Sequence, residues 1–89
     1  NQSVPKNTAL NNFHFILVDT SGDPLPSATV TATRVIDGGS FAACANAVAE
    51  IANGVYRINL AASDMNGDVI TLRFNATGAK DTLITLTTQ

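Results

Sequence analysis

The sequence predicts an all-β protein, an antiparallel β-sandwich of about seven short strands that follows an extended N-terminal arm. Three observations support this fold class. Apolar and polar residues alternate along several segments with the two-residue period of a half-buried strand. Turn-forming Gly, Pro, Asn and Asp recur at intervals of roughly ten residues. The segments between the predicted strands are too short to hold the helical crossovers of a parallel sheet.

The chain has 89 residues, which is enough for one domain and too few for a second core. Its apolar fraction of 45% is ordinary, but thirteen of these residues are Ala, whose methyl group buries little area. We therefore predict a thin core. A thin core favours a domain that gains stability by assembling with copies of itself or with a larger body.

Residues 1–12 are polar, contain a proline and show no sustained period, so we predict an extended arm that is either mobile or laid on a partner. The sandwich domain is predicted over residues 13–89. The inward residues of its first strand are Phe13, Phe15 and Leu17. The residues that we predict to make protein contacts in and near the arm are Val4, Pro5, Lys6, Leu10 and His14.

The first strand is followed by a turn and a second strand. Residues 20–26 are rich in Gly and Pro, and Asp19 and Asp23 are predicted to bond backbone amides in this turn. From residue 28 to residue 36 Ala and Val alternate with Thr, which predicts a half-exposed strand. Residues 37–39, Asp-Gly-Gly, then predict a hairpin, because glycine supplies the positive φ of such turns.

Residues 40–53 are ambiguous between strands and a helix. Their larger apolar residues recur near helical spacing, at Phe41, Cys44, Val48 and Ile51, and Ala is the best helix former. Asn46 in the middle of the run and the hairpin signal before it argue against a helix. We predict two short strands with Asn46 near the turn, and a helix is the alternative.

The last third of the chain alternates most clearly. Asn53 and Gly54 predict a turn, and the inward residues after it are Tyr56, Ile58 and Leu60. Residues 61–67 predict a helical turn or a loop. The inward residues of the next strand are Ile70, Leu72, Phe74 and Ala76. The Thr-rich residues 82–89 close the chain as a final strand.

Composition argues against several partners. Charged residues make up 13% of the chain, the formal net charge is −2, and the five basic residues are scattered, so no basic stripe for nucleic acid is expected. No apolar run approaches the ~20 residues of a membrane span, and no signal peptide is visible.

Cys44 is the single cysteine, which excludes an internal disulfide, and we expect a small buried apolar residue there.

The acidic stretch DMNGD is a candidate metal site. Asp64, Asn66 and Asp68 occupy the first, third and fifth places of a calcium-binding loop. The sixth place holds Val69 instead of Gly, and the twelfth holds Asn75 instead of a bidentate Glu. We therefore predict turn residues, with these three as weak metal candidates, and no cofactor.

Catalytic chemistry would need a nucleophile with a base, or paired carboxylates in a cleft. His14 is the only histidine and lies between two Phe residues on the opposite face of a strand, and Glu50 is the only glutamate. No phosphate-binding Gly-rich loop, zinc-ligand spacing or Ser-His-Asp set can be assembled. We expect a protein that is not an enzyme.

Two resemblances to known families extend these expectations. The segment VDTSGDPLPSATVTA, residues 18–32, resembles the first hairpin of carboxypeptidase-regulatory-like and related domains, which implies an immunoglobulin-like (prealbumin-like) sandwich. The patterns DGG-x-F, E-I-x-N-G-x-Y and D-x-N-G-D-x-x-T-L-x-F-x-A-T-G-A occur in this order. In that order they resemble small domains encoded among the structural genes of tailed bacteriophages.

The second resemblance implies a component of the virion. We expect a non-enzymatic structural protein, a capsid decoration (cement) or tail accessory protein, whose partners are other virion proteins and copies of itself. One alternative is an immunoglobulin-like recognition module that binds host-surface carbohydrate or protein. Sugars commonly stack on exposed aromatic rings, whereas the one Tyr and four Phe are mostly predicted inward. A further alternative is a module of a bacterial extracellular protein.

Overall fold

Seven strands form two antiparallel sheets in a computed structural model of the chain, which describes residues 4–88. In chain order the strands are β1 (Leu10–Ile16), β2 (Thr31–Ile36), β3 (Ala42–Ala43), β4 (Val48–Ala52), β5 (Val55–Leu60), β6 (Val69–Asn75) and β7 (Thr82–Thr87). One sheet has the order β1-β5-β4 and the other the order β3-β2-β6-β7. A 3₁₀ helix, Ala62–Met65, connects β5 to β6. The predicted all-β sandwich and the predicted helical turn are confirmed.

The core lies between the two sheets and is built by alternation. Every second residue of β5 and β6 is buried, namely Tyr56, Ile58, Leu60, Ile70, Leu72 and Phe74. The ring of Phe15 in β1 stacks on that of Phe74 in β6 with centroids 3.7 Å apart, and this contact joins the sheets. The predicted inward faces of these strands are confirmed. Each large side chain buried in this way stabilises the fold by roughly 1.5–3 kcal/mol.

The ambiguous region, residues 40–53, forms strands, and the helical alternative is wrong. β3 pairs with β2 and β4 pairs with β5, so the chain between β3 and β4 crosses from one sheet to the other. Asn46 lies in this crossing, where its Nδ2 donates to the carbonyl of Asn59 at 2.6 Å. Pairing with β5 overrides the helix propensity of Ala, which is a weak preference of a fraction of a kcal/mol per residue.

β1 begins at Leu10, earlier than the predicted boundary at Phe13. Its pairing with β5 shifts register between these two residues, and Asn12 has a φ of 59°, which is the mark of a bulge. The bulge explains why the two-residue period of the sequence becomes visible only from Phe13. Residues 1–3 of the predicted arm and Gln89 of the predicted last strand lie outside the described residues.

Tyr56 and Gly54 fix the connection between β1 and β2 against β5. The buried hydroxyl of Tyr56 donates to the carbonyl of Leu25 at 2.6 Å and accepts from the backbone N–H of Ala28 at 3.1 Å. Gly54 has a φ of +88°, and a Cβ at this position would lie 2.8 Å from that of Pro24. The Tyr56 hydroxyl therefore holds the connection on the sandwich, and only Gly fits the turn beneath it.

Candidate functional site

The acidic stretch is divided between the interior and the surface. Asp64 is 1% exposed, and its carboxylate accepts from Nε of Arg34 at 3.1 Å. It also accepts from the backbone N–H groups of Ala45 at 3.1 Å and Ala61 at 3.3 Å. The three donors belong to β2, to the crossing between β3 and β4, and to the start of the 3₁₀ helix. Asp64 therefore ties three segments together and has its oxygens occupied by protein donors.

The other two weak metal candidates lie on the surface. The carboxylate of Asp68 contacts Nζ of Lys6 at 2.5 Å, and Asn66 is exposed. The backbone N–H of Asp68 donates to Oδ1 of Asp37 at 2.9 Å, which closes the turn that begins β6. Among residues 4–88, no group of three or more His, Cys, Asp or Glu side chains could hold a metal ion.

The carboxylate of Asp19 acts in the turn after β1, as predicted, whereas Asp23 takes part in these bonds through its backbone. Its Oδ1 accepts from the backbone N–H groups of Ser21 at 2.9 Å and Asp23 at 3.0 Å. The backbone N–H of Asp19 in turn donates to the carbonyl of Asp23 at 2.8 Å. The carboxylate of Asp19 therefore holds the turn by bonding its amides.

Cys44 is half-buried beside the Arg34–Asp64 pair. Burial, and to a smaller extent the charge of Asp64, raise the pKa of the thiol to about 11, while the charge of Arg34 opposes this rise. The thiol is therefore protonated at neutral pH and is a poor nucleophile.

His14 and Glu50, considered above for proton transfer, take part in different contacts. Glu50 accepts from the backbone N–H of Ser27 at 2.9 Å. His14 is exposed and lines an open groove of about 520 Å³, together with Phe15, Ile16, Val55 and Thr82. The walls of this groove are mostly apolar, and it lies at the side of the sandwich where β1 and β7 form the sheet edges.

Three of the other predicted contact residues contact the domain itself. Val4 forms an isolated parallel bridge with Thr88, and Leu10 pairs with Leu60 in β5. Hydrogen bonding to Asp68 and its charge raise the pKa of Lys6. Pro5 is exposed. The described part of the arm therefore follows the end of the sandwich.

The most distinctive surface is the solvent side of the four-stranded sheet, called here the outer face. β6 turns Val69, Thr71, Arg73 and Asn75 toward solvent, and the strand register sets Thr and Val of β2, and Leu and Thr of β7, beside them. Three large apolar side chains of this face are exposed, Phe41 by 48%, Val69 by 43% and Leu83 by 60%.

The charges of the outer face are paired with each other. The carboxylate of Asp81 accepts from Nε and Nη2 of Arg73 at 2.9 Å and 2.6 Å, and from Nδ2 of Asn75 at 2.6 Å. The hydrogen bond from Asn75, followed by that from Arg73, lowers the pKa of Asp81. The Arg73 guanidinium also lies 5.7 Å from the ring centroid of Phe41. The outer face therefore presents hydroxyl, aromatic and aliphatic groups around one neutralised ion pair.

The sequence prediction did not identify the outer face. The sequence does show large apolar residues at strand positions whose side chains point to solvent, namely Val69 in β6 and Leu83 in β7. Alternation alone treats such residues as ordinary strand formers, because it does not show that neighbouring strands carry them on the same face.

Comparison with protein-family models, with curated proteins and with solved structures found no match to this chain. Within residues 4–88, no helix is both long and apolar enough to cross a membrane.

Proposed function

We propose that this chain is a non-enzymatic structural protein of a tailed-bacteriophage particle, a capsid decoration (cement) or tail accessory domain that acts through protein–protein contacts. The observation that carries the proposal is the outer face, where three of the exposed large apolar residues share one side of one sheet. Phe41 and Leu83 both lie beside Arg73, and Val69 lies four residues along β6 on the same face. Neighbouring exposed apolar residues are typical of interaction sites, whereas single ones are ordinary. The sequence patterns that resemble phage structural domains suggest which assembly the face contacts.

The composition of the outer face suits docking on another protein. Phe41 is a large aromatic anchor, and aromatic residues and Arg dominate the energetics of interfaces. Arg73 is already paired with Asp81, so burial of this region does not leave an unpaired charge. The surrounding Thr hydroxyls donate and accept hydrogen bonds with little charge to desolvate.

The size of the face explains why such a protein would work in many copies. Three strands about 20 Å long and the two-residue β3, about 4.8 Å apart, give a face of roughly 350 Å². A stable interface buries about 800 Å² on each partner. One face alone therefore supports weak binding, and repeated copies on a particle, or added contacts from the arm and the loops, raise the total.

The test is co-sedimentation of the purified chain with particles of the phage that encodes it, prepared without this protein. Phe41→Asp places a charge within the proposed contact. Ile51→Asp is the matched control, because Ile51 is 50% exposed, close to the 48% of Phe41, but belongs to the three-stranded sheet. We expect the wild type and the control to bind in fixed stoichiometry and Phe41→Asp to bind at least about tenfold less. A wild type that stays in the supernatant, or equal binding by the two variants, would contradict the proposal.

A recognition module for host-surface carbohydrate or protein is the second candidate. The observation in its favour is the exposed ring of Phe41, since sugars stack on aromatic rings. Arg73 already lies over this ring, which disfavours such stacking. Binding of the monomeric chain to glycan arrays, abolished by Phe41→Ala, would favour this candidate over the structural one.

A further inference from the structure

We propose that two copies of this chain pair through the central part of the edge of β7 that faces away from β6. The two strands run antiparallel about a two-fold axis at Ile84 and join two four-stranded sheets into one continuous sheet. This inference concerns copies of the chain alone and does not depend on the proposed place in a phage particle.

The four sheet edges differ in how they are protected from other strands. β3 has only two residues, β4 shifts register between Glu50 and Ala52, and β1 shifts register near its start. The carbonyl of Ile16 at the edge of β1 also accepts from the Thr82 hydroxyl at 3.1 Å. Short length, bulges and covered backbone groups are the usual protections of an edge.

Within the described residues β7 has neither the short length nor the bulge of the other edges. Its covering contacts lie at its ends, where Asp19 bridges Ala79 just before the strand and Val4 bridges Thr88 just after it. Six consecutive residues pair with β6 in unbroken register, and the segment TLITLT contains no charged residue and no proline. An uncharged edge strand in unbroken register is a template for pairing with another strand.

The hydrogen-bond pattern shows which backbone groups are available. Thr88 follows β7 and Asp68 precedes β6, and the N–H of Thr88 donates to the carbonyl of Asp68 at 2.9 Å. Because bonding alternates along an antiparallel strand, the backbone groups of Leu83, Thr85 and Thr87 point away from β6. The bridge between Val4 and Thr88 covers the C-terminal end of this edge. Among residues 4–88, the edge is therefore open at Leu83 and Thr85.

These two residues define one register. Pairing must keep outward side chains beside outward side chains and must use the free backbone groups of both copies. Leu83 opposite Thr85 of the second copy satisfies both conditions, and the same pair repeats on the other side of the axis. Each pair exchanges two N–H···O bonds, and Ile84 lies opposite Ile84 of the second copy.

The side chains favour a second copy as the occupant. Leu83, 60% exposed, is the most exposed of the large apolar residues on the described surface, and pairing brings the two copies of Leu83 beside the axis. A two-fold interface must be self-complementary, and β7 has no charge that would oppose its own copy.

Sedimentation equilibrium of the full chain, from about 1 µM to about 1 mM, tests the pairing. We expect the mass to rise with concentration from 9.2 kDa toward twice that value. Hydrogen exchange at the amides of Leu83 and Thr85 should slow over the same range, while Ile84, bonded to β6, is slow throughout. A chain that is monomeric at every concentration would overturn the inference. Protection of Leu83 and Thr85 that does not depend on concentration would do the same, because it would show an edge covered within one chain.

Two double variants test the register itself. L83E/T85E places like charges opposite each other across the proposed axis, whereas L83E/T85K places opposite charges there and keeps the same Glu beside Arg73. We expect the first variant to be monomeric over the whole range and the second to dimerise, with circular dichroism confirming that both are folded. A dimer that persists in L83E/T85E would overturn the inference. A monomeric wild type that still binds particles would overturn this inference and leave the proposed function intact. A dimer that binds no particle would support this inference and contradict the proposed function.

Discussion

The buried carboxylate of Asp64 stabilises the fold from within, and Asp64→Ala tests this directly. The substitution leaves the Arg34 side chain, 21% exposed, without its ion partner and removes the acceptor of the Ala45 and Ala61 N–H groups. Breaking a buried ion pair costs about 3–5 kcal/mol. Because Arg34 partly reaches water, we expect the lower end, about 3 kcal/mol. A domain of this length has roughly 4–13 kcal/mol of stability in total, so the variant should fold but be severely weakened.

Urea denaturation followed by circular dichroism measures this loss. With a slope of about 1 kcal/mol per M urea, the midpoint should fall by about 3 M. Asp68→Ala is the matched control, because it removes an exposed acid of the same stretch and only its surface ion pair with Lys6. We expect the midpoint of the control to stay at the wild-type value. A loss below about 1 kcal/mol in Asp64→Ala, or equal losses in the two variants, would refute the reasoning.

Three further substitutions or modifications test separate contacts. Iodoacetamide should alkylate Cys44 at pH 8 about 100-fold more slowly than an ordinary exposed thiol, with a rate that rises toward pH 11, and a plateau near pH 9 would contradict the burial of the thiol. Gly67→Ala sets a Cβ against Ile36 and Asp37 and should cost about 1–3 kcal/mol in thermal unfolding, so an unchanged Tm would contradict the close packing of this turn. Because the pKa of Asp81 is lower in the folded protein than the ordinary carboxyl pKa of 3.8, its ionised form stabilises the fold above pH 3.8. This stability is lost as the pH falls through the pKa of the folded protein. Asp81→Asn should therefore lose less stability than the wild type on acidification, and identical acid unfolding profiles would argue against the network with Arg73.

The sequence predicts β5 and β6 well because each has one fully buried face. Tyr56 and Ile58, like Leu72 and Phe74, fall at alternate positions, and the period of two follows directly from burial on one side. The sequence does not predict that β3 and β4 belong to different sheets, because sheet membership depends on pairing between distant residues. The bulge at Asn12 likewise interrupts the alternation on which the prediction of β1 rests.

The sequence contains one indication of the role of Asp64 that the alternation of apolar and polar residues does not capture. Arg34 falls in the inward phase of β2, after Ala32, and a charged residue on a buried face requires a partner. The sequence offers several acids for this partner, and only the fold brings Asp64 to the guanidinium. The same stretch looked like a metal loop because Asp and Asn suit both cation binding and the amide bonds of a turn.

We propose that this protein acts by contact, as a component of an assembled phage particle. Quantitative mass spectrometry of purified intact particles, with copy number measured against the major structural proteins, tests this proposal. We expect the chain in every particle, in a fixed number of copies that matches the symmetry of a capsid or tail lattice. Particles that contain no copies, or variable traces that wash away during purification, would contradict it.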